Sequence, residues 1–123
     1  MFGLHNRFQA FIHAFRGIVI CLTREAHSRF HLCAAAVVIA LATFLRASIE
    51  DWCWFVTCIG LVLAFEAINT SIERLADRVS EEYHDLIRDA KDLAAGAVLL
   101  VSIASVIIGA LRIYPLVVRI IFH

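Results

Sequence analysis

Residues 52–72, WCWFVTCIGLVLAFEAINTSI, decide the fold. A helix crosses a bilayer with about 20 mostly apolar residues, and this run meets that length with a single ionised side chain, Glu66. Working outward, residues 93–111 (LAAGAVLLVSIASVIIGAL) carry no Asp, Glu, Lys or Arg and also suit a span. Residues 30–45 (FHLCAAAVVIALATFL) are equally uncharged but shorter. Arg29 and Arg46 can lengthen that span by laying their apolar stems along the lipid and keeping their charges at the headgroups. The whole chain agrees: 62% of its 123 residues are hydrophobic, against about 45–50% in soluble domains. So small a soluble monomer could not bury that much apolar surface. Disorder and a disulfide scaffold are excluded on the same grounds. The zero net charge gives no sign of nucleic-acid binding.

Residues 6–24 read differently. Phe8, Phe11, Ile12, Phe15, Val19 and Leu22 fall on one helix stripe, with Gln9, His13, Arg16 and Thr23 away from it. That pattern predicts an amphipathic helix lying on the membrane surface. Lys and Arg placement then sets the topology. Arg7, Arg16, Arg24 and Arg29 precede the first span, and Arg74, Arg78, Arg88 and Lys91 lie between the second and third. Both regions are expected to be cytoplasmic. Arg46 alone lies in the loop 46–51, while Arg112 and Arg119 fall on that outer side and run against the trend. The expected architecture is an all-α integral membrane protein of one domain over residues 1–123. It has a surface helix at about 6–24, spans at about 29–47, 52–72 and 93–113, and a cytoplasmic loop over 73–92. Cys21, Cys33, Cys53 and Cys58 stand in apolar runs without metal-ligand spacing and read as buried small hydrophobes.

Glu66 is the first chemical signal. An ionisable group at mid-membrane costs at least about 2.5 kcal/mol and marks a functional position by default; the alternative is a paired carboxyl that holds helices together. Asn69, Glu73 and Asp77 follow it and share with it an arc of about 80° on one helix. A row of carboxylates from lipid depth to the surface suits a hard cation and a proton acceptor. Mg²⁺ in particular is held by one or two carboxylates together with substrate phosphates. In the stretch 80–92, Ser80 is a candidate helix cap, and Glu81, Glu82, Asp85 and Asp89 read as a solvated face. Lys91 and Asp92 stand where the third span meets the cytoplasm. They fit a nucleotide phosphate and a metal or ribose, or ordinary interfacial anchoring. Glu25 reads either as a helical pair with Arg29 or as a metal carboxylate offered from another helix.

These residues form a long pattern: EAINTSIERLAD at 66–77, EYH at 82–84 and AKD at 90–92 with the small residues AAGA at 94–97. It closely resembles the prokaryotic diacylglycerol kinase family, as do AFRGI at 14–18 and the segment from Glu25 to His31. The resemblance implies a homotrimer of three-span subunits with a surface helix, whose active sites are shared between copies. It implies a kinase in the bacterial inner membrane, N-terminus cytoplasmic, that uses MgATP to phosphorylate a lipid alcohol. By position, Glu66 resembles the general base and Asn69 and Arg29 active-site polar groups. Glu25 and Glu73 resemble the metal carboxylates. Asp77, Lys91, Asp92, Glu73, Glu25 and Arg16 resemble nucleotide-site positions. The chain has no P-loop and no kinase glycine loop, so phosphoryl transfer here would rest on carboxylates, Mg²⁺ and basic side chains. Arg29, Phe30, His31 and Thr70 are more similar to the undecaprenol branch of the family than to the diacylglycerol branch. Asn6, Gln9 and His13 replace basic or aromatic groups of the latter. The competing reading is a non-enzymatic membrane bundle, a channel or accessory subunit, with Glu66, Asn69 and Glu73 lining a polar seam.

Overall fold

The structure is a computed structural model that describes residues 4–79 and 81–123. It is all helical in these residues. Helix α1 runs Leu4–Arg24, α2 Ala26–Phe44, α3 Ile49–Val79 and α4 Asp85–Ile121. Helices α2, α3 and α4 are each long and apolar enough to cross a membrane. Helix α3 is the centre of the packing, touched by α1, α2 and α4.

The helix ends have local causes. At Glu25 the backbone turns extended (φ −104°, ψ 124°), which separates α1 from α2. Leu45 closes α2, and Arg46 adopts a left-handed φ of 54°. The first span therefore stops short of residue 47, because the chain already turns there. Ser48 starts α3 with a reciprocal cap. Its Oγ accepts the Asp51 N–H (3.1 Å), and Asp51 Oδ2 accepts the Ser48 N–H (3.2 Å) and the Ser48 hydroxyl (2.9 Å). Such a box satisfies backbone donors that the first helical turn leaves open. Ser48→Ala should lower stability by about 1 kcal/mol, read as a shifted unfolding midpoint of the purified protein, with turnover per folded molecule unchanged.

The segment expected to be a loop over 73–92 is helical for most of its length. Helix α3 continues to Val79 and α4 begins at Asp85. Glu73, Arg74, Leu75 and Ala76 are good helix formers, and no Gly or Pro interrupts them. At 1.5 Å per residue α3 is about 46 Å long, well beyond a hydrocarbon core of about 30 Å. Its last turns therefore project out of the apolar layer. The cap of α4 is His84, whose ring accepts from the Leu86 N–H (3.3 Å), so Glu81 and Glu82 precede the helix. Ser80, the expected cap, lies outside the described residues. At its other end α4 passes through Pro115 and runs to Ile121, past the expected limit at 113.

The interior is thin. Ala35, Ala42, Phe55, Val62, Ala94 and Leu116 are buried, while most large apolar side chains face outward. Outward apolar surface on this scale is what lipid or further protein covers. Phe8, Phe11, Ile12 and Phe15 of α1 are exposed in the same way. The cysteines depart from expectation: Cys21 is buried, but Cys33 and Cys53 are exposed, since they sit on the outer faces of α2 and α3. Cys21 Sγ meets the fully buried Ser28 hydroxyl at 3.2 Å and ties α1 to α2. Thr43 and Thr57 donate their hydroxyls to carbonyls of their own helices, which removes a polar cost within apolar segments.

The two arginines that ran against the charge trend have partners. Arg112 reaches Glu50 (2.8 Å) and Asp51 (3.4 Å) and lies over the Trp54 ring at 5.4 Å. Arg119 donates to the carbonyls of Leu45 (2.7 Å) and Arg46 (3.2 Å) beyond α2. Both therefore bind the end of α4 to the α2–α3 turn.

Candidate functional site

Helix α3 carries its polar residues along one side, and their burial falls steadily along the chain. Glu66 is 3% exposed, Asn69 8%, and the side chain of Asp77 70%. The expected arc is therefore real as a gradient from interior to solvent. The buried end is closed by α2: His31 Nε2 lies 3.8 Å from Glu66 Oε2. One turn on, Asn69 Nδ2 donates to Glu73 Oε1 (3.4 Å), while Asn69 Oδ1 is buried without a partner among the described residues. A buried acceptor left open is a costly feature and marks a place where a donor or cation would be welcome.

Glu25 takes part differently from the helical pair with Arg29. It is the N-cap residue of α2, and its carbonyl accepts the Arg29 N–H (3.1 Å), while its side chain turns to a different helix. Its Oε1 instead accepts from Arg74 Nη2 on α3. Glu25 is thereby brought beside the neighbour of Glu73, from a different helix. From the sequence alone Arg74 is a topology charge. Only the packing of α1 and α2 against α3 brings it to Glu25.

Further out, Lys91 Nζ on α4 bonds Asp77 Oδ1 at 2.8 Å. This hydrogen bond, with the Asp77 charge, holds the Lys91 pKa above its ordinary value. The ammonium thus stays charged at any physiological pH. Asp92, Arg29 and Arg16 are exposed, Arg16 out on α1. Arg88 serves its own surroundings. It bonds Asp89 (2.8 Å) and the Tyr83 hydroxyl (2.6 Å), in keeping with a solvated face there.

Among the described residues no three His, Cys, Asp or Glu side chains converge into a cation cage. Mg²⁺ does not need one, because it keeps waters and takes phosphate oxygens. The donors present are hard oxygens: the carboxylates of Glu73 and Glu25 and the unpartnered Asn69 Oδ1. That set fits Mg²⁺ chemically.

A helical membrane protein with a buried carboxylate, leading to an acidic and basic outlet, has the parts for moving protons and phosphates at a membrane edge. Its relatives fall in one family of membrane enzymes. The prokaryotic diacylglycerol kinase family matches residues 12–113. Undecaprenol kinase of Bacillus subtilis is 37% identical over 91% of this chain and 91% of its own. Diacylglycerol kinase of Synechocystis is 33% identical over 89% of this chain and 63% of its own. Diacylglycerol kinase of Escherichia coli K12 is 30% identical over 77% of this chain and 78% of its own. The chain belongs to the prokaryotic diacylglycerol kinase family and is a membrane kinase of the diacylglycerol and undecaprenol kinase type.

Proposed function

We propose that the chain transfers the γ-phosphate of MgATP to a membrane lipid alcohol, undecaprenol in preference to diacylglycerol, at the cytoplasmic face of the bacterial inner membrane. The observation that carries this reading is Glu66, buried in an apolar helix and facing His31, with a polar path leading out along α3. A carboxylate at that depth can meet a lipid hydroxyl without drawing the lipid into water. Phosphoryl transfer asks a protein chiefly for positioning and charge neutralisation.

In this mechanism Glu66 accepts the hydroxyl proton. Asn69 holds Glu73 in place. Glu25, Glu73 and Asn69 Oδ1 would hold Mg²⁺, which would supply charge neutralisation at the phosphates. Lys91, fixed by Asp77, offers a permanent positive charge to the nucleotide. Asp92 and Arg16 border the nucleotide, and Arg29 borders the acceptor. The polar ends of α3 and α4 carry Asp77, Lys91 and Asp92 toward water, where ATP is. Helix α1 lies along the membrane surface with Phe8, Phe11, Ile12 and Phe15 in the lipid. Three copies associate with shared sites and cover the outward apolar faces.

Undecaprenol is favoured by Arg29, Phe30, His31 and Thr70 and by the likeness to an undecaprenol kinase along nearly its full length. A phosphorylation assay offering undecaprenol and diacylglycerol in parallel mixed micelles tests the preference. A higher kcat/KM for undecaprenol is expected, and the reverse order would assign the chain to diacylglycerol. Orientation is tested by cysteine labelling in a cysteine-free background. Glu81→Cys should react from the cytoplasmic side and Ser48→Cys from the other; the reverse pattern would place the site away from ATP.

A further inference from the structure

The family's site residues on α3 leave His31 without a role, yet it occupies a particular place. It is one of the lining residues of a groove of about 500 Å³ between α2 and α4, floored by α3. It is also the side chain 3.8 Å from the Glu66 carboxylate. The rest of the groove is almost wholly apolar, with Ala34, Val38, Val62, Val106 and Ile113 on its walls. The imidazole is thus where an apolar channel ends and the buried carboxylate begins. Its ring is steadied by Phe30, edge to face with centroids 5.6 Å apart.

The separation itself is informative. At 3.8 Å, His31 Nε2 and Glu66 Oε2 are too far apart for a hydrogen bond to each other. A single hydroxyl oxygen can sit about 2.8 Å from both atoms at once. It would donate its proton to the carboxylate and accept from the ring N–H. Catalytic groups often stand this loosely before substrate arrives.

We infer that His31 is a positioning residue that holds the acceptor hydroxyl against Glu66, with the lipid's hydrocarbon chain lying in the groove between α2 and α4. The inference rests on the lipid-kinase reading and adds to it how the acceptor is held. The occupant is a lipid chain rather than a polar ligand because the groove is apolar and continuous with the residue that faces the base. During transfer the hydroxyl proton goes to Glu66. The freed electron pair of the oxygen forms a bond to the γ-phosphorus, and the bond from that phosphorus to the β–γ bridging oxygen breaks, leaving ADP.

The test compares His31→Ala, His31→Gln and Ser105→Phe, the last placed to fill the groove, with farnesol and undecaprenol as short and long acceptors. His31→Ala should lower kcat/KM for both alcohols by about 10–100-fold through misplacement of the hydroxyl, with KM for ATP unchanged. His31→Gln, which keeps an N–H donor, should restore most of that loss. Ser105→Phe should raise KM for undecaprenol and leave farnesol nearly unaffected. An unchanged kcat/KM in His31→Ala, or a loss that extends equally to KM for ATP and resists rescue by Gln, would overturn the role of His31. If Ser105→Phe impairs both alcohols alike and reduces crosslinking between copies, the groove belongs to a helix of a second copy. If the unaltered protein phosphorylates neither alcohol, the lipid-kinase reading fails and this inference falls with it.

Discussion

Glu66→Gln should cut kcat by about 10²–10⁴, the usual contribution of a general base. ATP affinity and the melting temperature should stay close to those of the unaltered protein. The amide keeps the size of the carboxylate and can still hydrogen-bond, but it cannot take the hydroxyl proton. Its surroundings make the substitution clean. Glu66 is 3% exposed, and among the described residues no arginine or lysine is paired with it; its neighbour is the His31 ring. A purely structural carboxyl would give the opposite signature. Removing an ionisable group from an apolar helix would then raise stability and leave turnover intact.

Glu73→Gln is expected to have the next largest effect. At least about a tenfold rise in the Mg²⁺ concentration for half-maximal turnover is expected, since even outer-shell changes at metal sites cost about 10–100-fold in affinity. The same change should weaken the hold on Asn69, whose Nδ2 donates to Glu73 Oε1. Glu25→Gln should shift the Mg²⁺ dependence in the same direction. It also loosens Arg74, which bonds Glu25. If both carboxylates meet one ion, the double variant loses less than the sum of the single ones. Fully additive losses at an unchanged Mg²⁺ requirement would instead assign the two residues separate structural roles.

Much of this was legible along the chain, for definite physical reasons. An apolar run such as 52–72 admits one environment, so three membrane-length helices follow from it and its two counterparts. The polar side of α3 was visible because helical spacing alone brings Glu66, Asn69, Glu73 and Asp77 together. Helix ends were harder. Residues 73–79 are polar enough to read as loop, yet their helix propensity and the lack of a breaker carry α3 on to Val79. The capping box of Ser48 and Asp51 was present in the sequence as a local signal and marks the other end of the same helix. What could not be read were pairs between helices. The contacts of Glu25 with Arg74, His31 with Glu66, and Arg119 with the carbonyls just beyond α2 depend on how helices pack, and no spacing along the chain encodes that. Arg112 and Arg119 looked like violations of charge placement because their partners lie far away in sequence, at the start of α3 and in the turn after α2.

Phosphorylation of a membrane lipid alcohol is the activity proposed for this protein. The most direct measurement follows label from the γ-phosphate of ATP into the lipid fraction, using purified protein in mixed micelles with and without undecaprenol and with and without Mg²⁺. Label should enter the lipid only when undecaprenol, Mg²⁺ and Glu66 are all present. ATP turnover that proceeds equally without any lipid alcohol, or a lipid fraction that stays unlabelled with both undecaprenol and diacylglycerol, would contradict it.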